Sequence, residues 1–295
     1  MTDYLEDDYR RVIGEAGKTS FLPGTSIEII HSVDLTIAPK HVLFDFDGTL
    51  SLVREGWPEV MVPMMVEALT DTGTDESAET LSSVAYEFIM QLNGKQTIYQ
   101  MMRLAEEVKK RGGVPREPSE YKAEYHDLLM QRIQGRREGL RNGEIKREEL
   151  IVPGSLEILG ALRDKGAHLY LASGTDEQFV KEETQLLGMD EYFGENIYGA
   201  LQDYRSFSKA RVIERILAEN EVGGAGLLGL GDGYVEIQNV KRVGGTAIGV
   251  ASDEAGRSGK PDAWKRDRLI GVGADIVVPD FSDYKELIAY LWGTE

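Results

Sequence analysis

Residues 41–49 read His41-Val42-Leu43-Phe44-Asp45-Phe46-Asp47-Gly48-Thr49. The first four are mostly apolar and show no polar alternation, which is typical of a strand buried on both faces in a parallel sheet. In such sheets, ligands bind beyond the carboxyl ends of the strands. Because side chains at positions i and i+2 of a strand point the same way, Asp45 and Asp47 are predicted to face one site.

Two carboxylates held this close repel each other unless a proton or a cation lies between them. A hard cation such as Mg²⁺ prefers oxygen ligands and would remove the repulsion. The same residues, taken alone, are equally well explained by a strand that ends in an Asp-Gly turn. The remainder of the chain has to decide between these two interpretations.

The composition bounds the class of protein. A chain of 295 residues is long enough for one large core and a second, smaller domain. It contains no cysteine and only four histidines, which excludes disulfides and thiolate metal sites and argues against a histidine-built zinc site. The formal net charge of −18 argues against nucleic acid or an anionic membrane as the main partner.

The sequence also carries information on location. The start of the chain is acidic and lacks the apolar segment of a signal peptide. No run approaches the roughly 20 apolar residues that a membrane-spanning helix needs. We therefore expect a cytoplasmic protein with no membrane partner, and the sequence leaves open whether it forms a homo-oligomer.

The pattern of apolar residues divides the chain into three parts. Residues 1–50 are an N-terminal extension plus the first core strand, and residues 51–150 carry helical patterns at 60–70, 77–92, 95–110 and 119–134. Residues 151–295 alternate apolar strands with helical patterns, which indicates βαβ units and a parallel sheet. We thus predict an α/β core interrupted by an all-helical insertion.

Three later positions carry polar residues where a strand ends or a helix begins. Ser173 follows an apolar strand, where a small hydroxyl residue can hold a phosphate or simply cap the next helix. Lys209 is predicted in the first turn of a helix, where the dipole disfavours a cation, although a solvated surface lysine is the alternative. Asp232 ends another apolar run and would share a helix face with Glu236, or would serve as a capping acid.

In chain order these elements are Asp-x-Asp-Gly-Thr, Ser173, Lys209 and Gly-Asp-x-x-x-Glu. This constellation resembles the haloacid dehalogenase superfamily, over roughly residues 41–50 and 151–280. The resemblance implies a Rossmann-like parallel sheet flanked by helices, and the helical insertion resembles the C1 cap of that superfamily. One departure is Glu236, which stands where the fourth motif often has aspartate.

The resemblance also implies a reaction, namely hydrolysis of a phosphomonoester through an aspartyl-phosphate. Asp45 would attack phosphorus, and Asp47 would act as general acid and then as general base. Ser173 would donate a hydrogen bond to a phosphoryl oxygen, and Lys209 would compensate the charge of nucleophile and phosphate. The presence of Asp47 disfavours halide removal, because dehalogenases lack this second aspartate.

Mg²⁺ is the implied cofactor, held by Asp45, the backbone carbonyl of Asp47, and Asp232, with Glu236 as a direct or water-mediated ligand. Thr49 and Gly174 are implied phosphate contacts. A phosphorylated sugar or similar small metabolite is the expected substrate.

Arg54 and Lys95 lie in the helical insertion and could bind a polar or anionic leaving group, although ordinary solvated charge is the simpler explanation for either residue. Three alternatives to a phosphatase stay open from the sequence. A phosphosugar mutase would use the same motifs, and a phosphonate hydrolase would need a Schiff-base lysine, for which Lys95 is a candidate. A non-catalytic binding protein would be expected to have lost one of the motif residues.

Overall fold

The computed structural model describes residues 8–14, 17, 19–34 and 36–293. The strands of this part are β1 (Ser20–Phe21), β2 (Glu28–Ile29), β3 (His41–Phe44), β4 (His168–Asp176), β5 (Ile197–Ala200), β6 (Leu227–Gly231), β7 (Thr246–Val250) and β8 (Ile276–Val278). They form one sheet in the order β1-β2-β8-β7-β6-β3-β4-β5. The strands from β3 to β8 pair in parallel, whereas β1 and β2 run antiparallel to their neighbours.

The helices are α1 (Pro58–Thr70), α2 (Ala78–Gln91), α3 (Thr97–Lys110), α4 (Pro118–Asn142), α5 (Ser155–Asp164), α6 (Glu177–Leu186), α7 (Asp190–Phe193), α8 (Lys209–Glu219), α9 (Tyr234–Arg242), α10 (Ala263–Gly271) and α11 (Tyr284–Trp292). None of them, within the described ranges, combines the length and apolar character needed to cross a bilayer.

Strand β3 lies in the middle of the sheet, between β6 and β4, and all four of its residues are buried. Its side chains alternate between two apolar layers: Val42 and Phe44 join one core cluster and Leu43 joins the other. A strand covered on both faces explains the unbroken apolar run in the sequence. The α/β class predicted from that run is confirmed.

The edge of the sheet beyond β8 is closed by the short hairpin of β1 and β2. Glu28 of β2 is 3% exposed, and both of its oxygens accept hydrogen bonds from Arg266 of α10, each at 2.6 Å. A bidentate pair of this kind fixes the geometry of both partners. The extension that precedes β3 is therefore attached to the core by strand pairing and by a charge-assisted contact.

Helices α1 to α4 form the helical insertion, in which α1 packs on α2 and α3 on α4. Helix α4 buries Tyr121, Tyr125, Leu129 and Ile133, four residues at a spacing of four that make a single stripe. It continues to residue 142, eight residues beyond the predicted end, and stops where Gly143 adopts a left-handed conformation (φ 78°). The division of the chain at residues 50 and 150 stays a prediction.

Candidate active site

The register of the sheet brings the predicted site residues together. Phe44 of β3 is level with Leu171 of β4 and with Leu230 of β6. The polar residues that follow, Asp45, Ser173 and Asp232, therefore emerge at the same edge of the sheet. This is the edge at which open parallel sheets bind their ligands.

Lys209 joins two carboxylates at this edge. Its Nζ lies 2.8 Å from Asp45 Oδ2 and 2.8 Å from Glu236 Oε2, and the three side chains are buried. Burial lowers the pKa of Lys209, but the charges of Asp45 and Glu236 outweigh it and raise the pKa overall. Lys209 is therefore a permanent cation beside Asp45, which accounts for a lysine at a helix start that the dipole disfavours.

Asp45 itself is strongly perturbed. Burial raises its pKa well above the usual range of an aspartate, the Lys209 ammonium opposes this, and the carboxylates of Glu236 and Asp232 add to it. Asp45 Oδ1 accepts a hydrogen bond from the Phe46 backbone N–H at 2.8 Å, which fixes the orientation of the carboxyl group. The charged form of this group would need more positive charge than Lys209 alone provides.

The oxygen atoms of Asp45, Asp232 and Glu236 form a cluster in which one carboxylate oxygen of each lies within 4.8 Å of the others. All three side chains are buried, and an all-oxygen donor set suits a hard cation such as Mg²⁺. Gly48 makes room for the cluster: it has φ 74°, and a Cβ at that position would collide with the Asp232 carboxylate. The residues present therefore fit the ion that the sequence predicted.

Asp47 occupies a different environment two residues further on. Its Oδ2 accepts hydrogen bonds from Thr175 Oγ1 at 2.8 Å and Ser173 Oγ at 3.4 Å. Its Oδ1 is buried, has no hydrogen-bond partner among the described residues, and lies 3.7 Å from Arg54 Nε. Burial raises the pKa of Asp47 to about 6, against the opposing charge of Arg54. A carboxyl group with this pKa can exchange a proton near neutral pH.

Arg54 and Lys95 both line the cavity above these residues, but each has a carboxylate partner. Arg54 Nε and Nη2 donate to the two oxygens of Glu183 at 3.0 and 2.9 Å, and Glu183 is fully buried. Lys95 Nζ lies 2.6 Å from Asp8 Oδ1, in the N-terminal extension. Neither partner could be predicted from the sequence, because each pair joins segments far apart in the chain.

A second lysine in the site was missed. Lys265 Nζ lies 2.8 Å from Asp232 Oδ2 and 2.6 Å from Glu254 Oε1, and it donates to Ser252 Oγ at 3.0 Å. It is the third residue of α10, and the N-cap residue Asp262 accepts a hydrogen bond from its backbone N–H, so Lys265 and Lys209 both lie in the first turn of a helix. A search for lysines at helix starts would have found both.

The helical insertion covers the site through the loop at residues 93–96. A Cβ at Gly174 would lie 2.6 Å from Lys95 O, and a Cβ at Gly233 would lie 2.8 Å from Gly94 Cα. Gln96 Nε2 donates to the carbonyl oxygens of Tyr204 at 3.1 Å and Phe207 at 2.9 Å, which ties the loop to the core. The cavity has a volume of about 90 Å³.

The cavity walls contain most of the predicted residues: Asp45, Asp47, Arg54, Lys95, Ser173, Gly174, Lys209 and Asp232. Thr49 and Glu236 lie behind this surface. Thr49 Oγ1 accepts a hydrogen bond from the Asp232 N–H at 2.9 Å, and Glu236 Oε1 accepts one from the Gly233 N–H at 2.7 Å. Thr49 thus supports Asp232 in this structure rather than lining the cavity.

The fold and this site define an α/β enzyme core with a carboxylate cluster at its strand ends. The haloacid dehalogenase-like hydrolase family model matches residues 39–244. The chain therefore belongs to this family, as the motifs at residues 45–49 and 232–236 indicated. No curated protein matches the chain.

Several solved structures have the same fold at low sequence identity. A predicted phosphoglycolate phosphatase from Haemophilus somnus is 18% identical, with a TM-score of 0.52, over 84% of this chain and 97% of its own. A β-phosphoglucomutase from Clostridium difficile is 16% identical, with a TM-score of 0.56, over 86% and 97%. A predicted phosphatase from Clostridium acetobutylicum is 17% identical, with a TM-score of 0.54, over 86% and 99%. At these identities the similarity shows the fold alone.

Proposed function

We propose that the protein is a Mg²⁺-dependent phosphatase that hydrolyses a small phosphomonoester through an aspartyl-phosphate on Asp45. One observation carries the proposal: Asp45 is buried at the carboxyl edge of the sheet against Lys209, with Asp47 two residues away. A carboxylate nucleophile needs a fixed cation beside it and a separate acid for the leaving group. The two aspartates differ in environment as these two roles require.

The reaction proceeds in two displacements on phosphorus. Asp45 Oδ attacks the phosphoryl group, the bond to the leaving alcohol breaks, and Asp47 gives its proton to the departing oxygen. Asp47, now charged, then accepts a proton from a water molecule that attacks the aspartyl-phosphate and releases inorganic phosphate. Lys209 stabilises the negative charge throughout, since its own charge is permanent.

The hydroxyl residues near Asp47 position the reacting groups. Thr175 holds Asp47 Oδ2, and Ser173 lines the cavity within reach of both the acid and a phosphoryl oxygen. Gly174 is also in the cavity wall, and its lack of a side chain lets the loop at residues 93–96 close over it. These contacts make the phosphate orientation independent of the leaving group.

Asp45, Asp232 and the backbone carbonyl of Asp47 would hold Mg²⁺, with Glu236 as a further or water-mediated ligand. The bound ion would neutralise charge on the phosphoryl oxygens. Lys265 would act on this site indirectly, because it fixes one oxygen of Asp232. We also propose that residues 51–150 act as a cap, whose opening admits the substrate and whose closure excludes water.

The test is phosphate release from a panel of phosphorylated sugars, polyols and hydroxy acids, with Mg²⁺ and with excess chelator. We expect release of inorganic phosphate from at least one ester, its loss in chelator and its recovery when Mg²⁺ is restored. Accumulation of an isomeric sugar phosphate without phosphate release would instead identify a mutase. Undiminished activity in chelator would contradict the proposed role of the carboxylate cluster.

A further inference from the structure

The charge pairing in the cavity points to the chemistry of the leaving group. We propose that the substrate has one anionic group only, its phosphate, and that its leaving alcohol is a small neutral molecule with additional hydroxyl groups. This inference rests on the proposed phosphatase function and adds the substrate class to it.

The cationic side chains that line the cavity, in the described part of the chain, are Arg54, Lys95 and Lys209. Lys209 lies between two carboxylates at the place where the phosphoryl group reacts. Arg54 binds Glu183 with two hydrogen bonds, and Lys95 contacts Asp8. A second phosphate or a carboxylate on the substrate would therefore have to compete with a carboxylate of the protein for either of the remaining cations.

Arg54 is the cation nearest to the leaving group, because it lies beside the general acid Asp47. It is also the hardest to recruit. Glu183 is fully buried, so moving Arg54 to a substrate anion would leave a carboxylate buried without its partner. The pair therefore presents no net charge to the substrate.

Apart from Arg54 and Lys95, the part of the cavity wall that the helical insertion contributes is neutral. It consists of the polar residues Asn93, Thr97, Gln100 and Tyr125 and the apolar residues Trp57, Met61 and Leu129. Gln100 Nε2 donates to Ile89 O at 3.1 Å, which leaves its Oε1 as an acceptor. The Tyr125 hydroxyl has no hydrogen-bond partner among the described residues, although it belongs to a buried side chain.

Neutral donors and acceptors set among apolar and aromatic side chains recognise the hydroxyl groups and C–H surface of a polyol or sugar. They give no compensation for a second negative charge in a site that is already rich in carboxylates. The same argument disfavours a mutase, because its bisphosphate intermediate needs a second phosphate site. The cavity thus selects for a phosphorylated polyol or sugar over a phosphorylated acid or a bisphosphate.

A matched pair of substrates tests this directly: 2-hydroxyethyl phosphate and phosphoglycolate differ only by a hydroxymethyl group in place of a carboxylate. We expect kcat/KM to favour the neutral compound by at least about tenfold, since an uncompensated like charge in a site costs more than 1.4 kcal/mol. Equal values, or a preference for phosphoglycolate, would overturn the inference while leaving the phosphatase function in place. Absence of phosphate release from any ester would remove the proposed function itself.

Variants sharpen the test. Glu183→Gln removes the carboxylate that holds Arg54 with two hydrogen bonds and leaves only Asp47, at 3.7 Å, beside the guanidinium, so it should raise the relative kcat/KM for phosphoglycolate by about tenfold. Asp8→Asn removes the carboxylate that holds Lys95 and should act in the same direction; Asp8 is 66% exposed, so this variant should fold even if the first does not. No change in the substrate ratio for either folded variant would contradict the role we give to the two carboxylates.

Tyr125→Phe tests hydroxyl recognition through a second ratio, that of 2-hydroxyethyl phosphate to ethyl phosphate. Loss of one neutral hydrogen bond should lower this ratio by about fivefold. Tyr121→Phe is the control, because Tyr121 lies one turn earlier on α4 and its hydroxyl accepts from the Arg116 N–H outside the cavity. An unchanged ratio in Tyr125→Phe, or an equal fall in Tyr121→Phe, would remove Tyr125 from the specificity site.

Discussion

The wall of the cavity made by the strand ends and the wall made by the helical insertion use charge differently. At the strand ends, Asp45, Asp232 and Lys209 are buried within one network, and the carboxylates outnumber the cations that neutralise them. On the helical side, Arg54 and Lys95 are each paired by a carboxylate, and the surface that remains is neutral. The wall at the strand ends therefore carries a net negative charge that can bind a metal ion. On the helical wall, each cation is already neutralised by a carboxylate of the protein.

The difference follows from what each wall has to recognise. The phosphoryl group is the same in every phosphomonoester and is best bound by charge and by fixed dipoles. A leaving group is distinguished by its shape and its hydroxyl groups, for which neutral contacts are more selective than charge. Substitutions at the strand ends should thus affect all substrates alike, and substitutions on the helical side should affect them unequally.

The largest expected effect is that of Asp45→Asn. The change removes the attacking oxygen and a metal ligand with little change in volume, so kcat should fall by about 10⁴-fold or more on every substrate. Phosphate release measures the loss, and thermal unfolding checks that the fold persists. Asp267→Asn is the control, because Asp267 pairs with Arg11 at the surface and is 64% exposed. Appreciable turnover by purified Asp45→Asn would rule out the covalent mechanism.

Lys265→Met should have the next largest effect. It removes the cation that fixes Asp232 Oδ2, and loss of such an outer partner typically weakens metal binding by about 10- to 100-fold. The Mg²⁺ concentration for half-maximal activity measures this for two unrelated substrates, with the exposed Lys285→Met as the control. An unchanged or tighter Mg²⁺ response would show that the ammonium competes with the ion instead of orienting its ligand.

The pH dependence should show whether Asp47 is the proton donor to the leaving group. Burial raises the pKa of Asp47 to about 6, so its acid form is present below that pH and is lost above it. For an ester with a poor leaving group, kcat/KM should therefore fall by up to about tenfold per pH unit above pH 6, relative to p-nitrophenyl phosphate, which needs no proton donor. Taking the ratio cancels ionisation of the shared phosphate. Parallel profiles for the two esters would show that Asp47 is not the acid.

The smallest expected effect is that of Lys95→Ala. Its ammonium pairs with Asp8, and a neutral leaving group offers it no charge, so the change should alter kcat/KM by less than about threefold on a polyol phosphate or on p-nitrophenyl phosphate. The measurement compares a polyol phosphate with p-nitrophenyl phosphate. A large loss confined to the polyol phosphate would show that Lys95 binds the leaving group, and the helical wall would then not recognise it by neutral contacts alone.

The sequence located those residues whose chemistry depends on local position. A carboxylate after a buried strand or a lysine at a helix start is visible in one dimension, and sheet register then brings Asp45, Lys209 and Asp232 together. Lys265 carried the same signal and was overlooked. Glu183 could not be found, because nothing in α6 marks it as the partner of Arg54, 129 residues earlier in the chain.

The helix boundaries also depend partly on local sequence and partly on contacts with distant segments. The helical pattern in the sequence predicts that α4 ends near residue 134, and half of residues 135–142 are charged. The helix continues through Gly135 and Gly139 to residue 142, and Arg136 in this extension donates from its guanidinium to the Val53 and Glu55 carbonyl oxygens at 2.9 and 2.8 Å. Tertiary contacts of this kind extend a helix beyond its periodic pattern.

The hairpin of β1 and β2 has a consequence for solubility. A parallel sheet that ended at β8 would offer a row of unpaired backbone groups on which another chain could add a strand, a common route to aggregation. Here the outermost strand spans two residues, and the next one carries the buried charge of Glu28. Short strands and inward-facing charges are poor templates for strand addition. The segment before the first motif thus protects this edge of the sheet from edge-to-edge association.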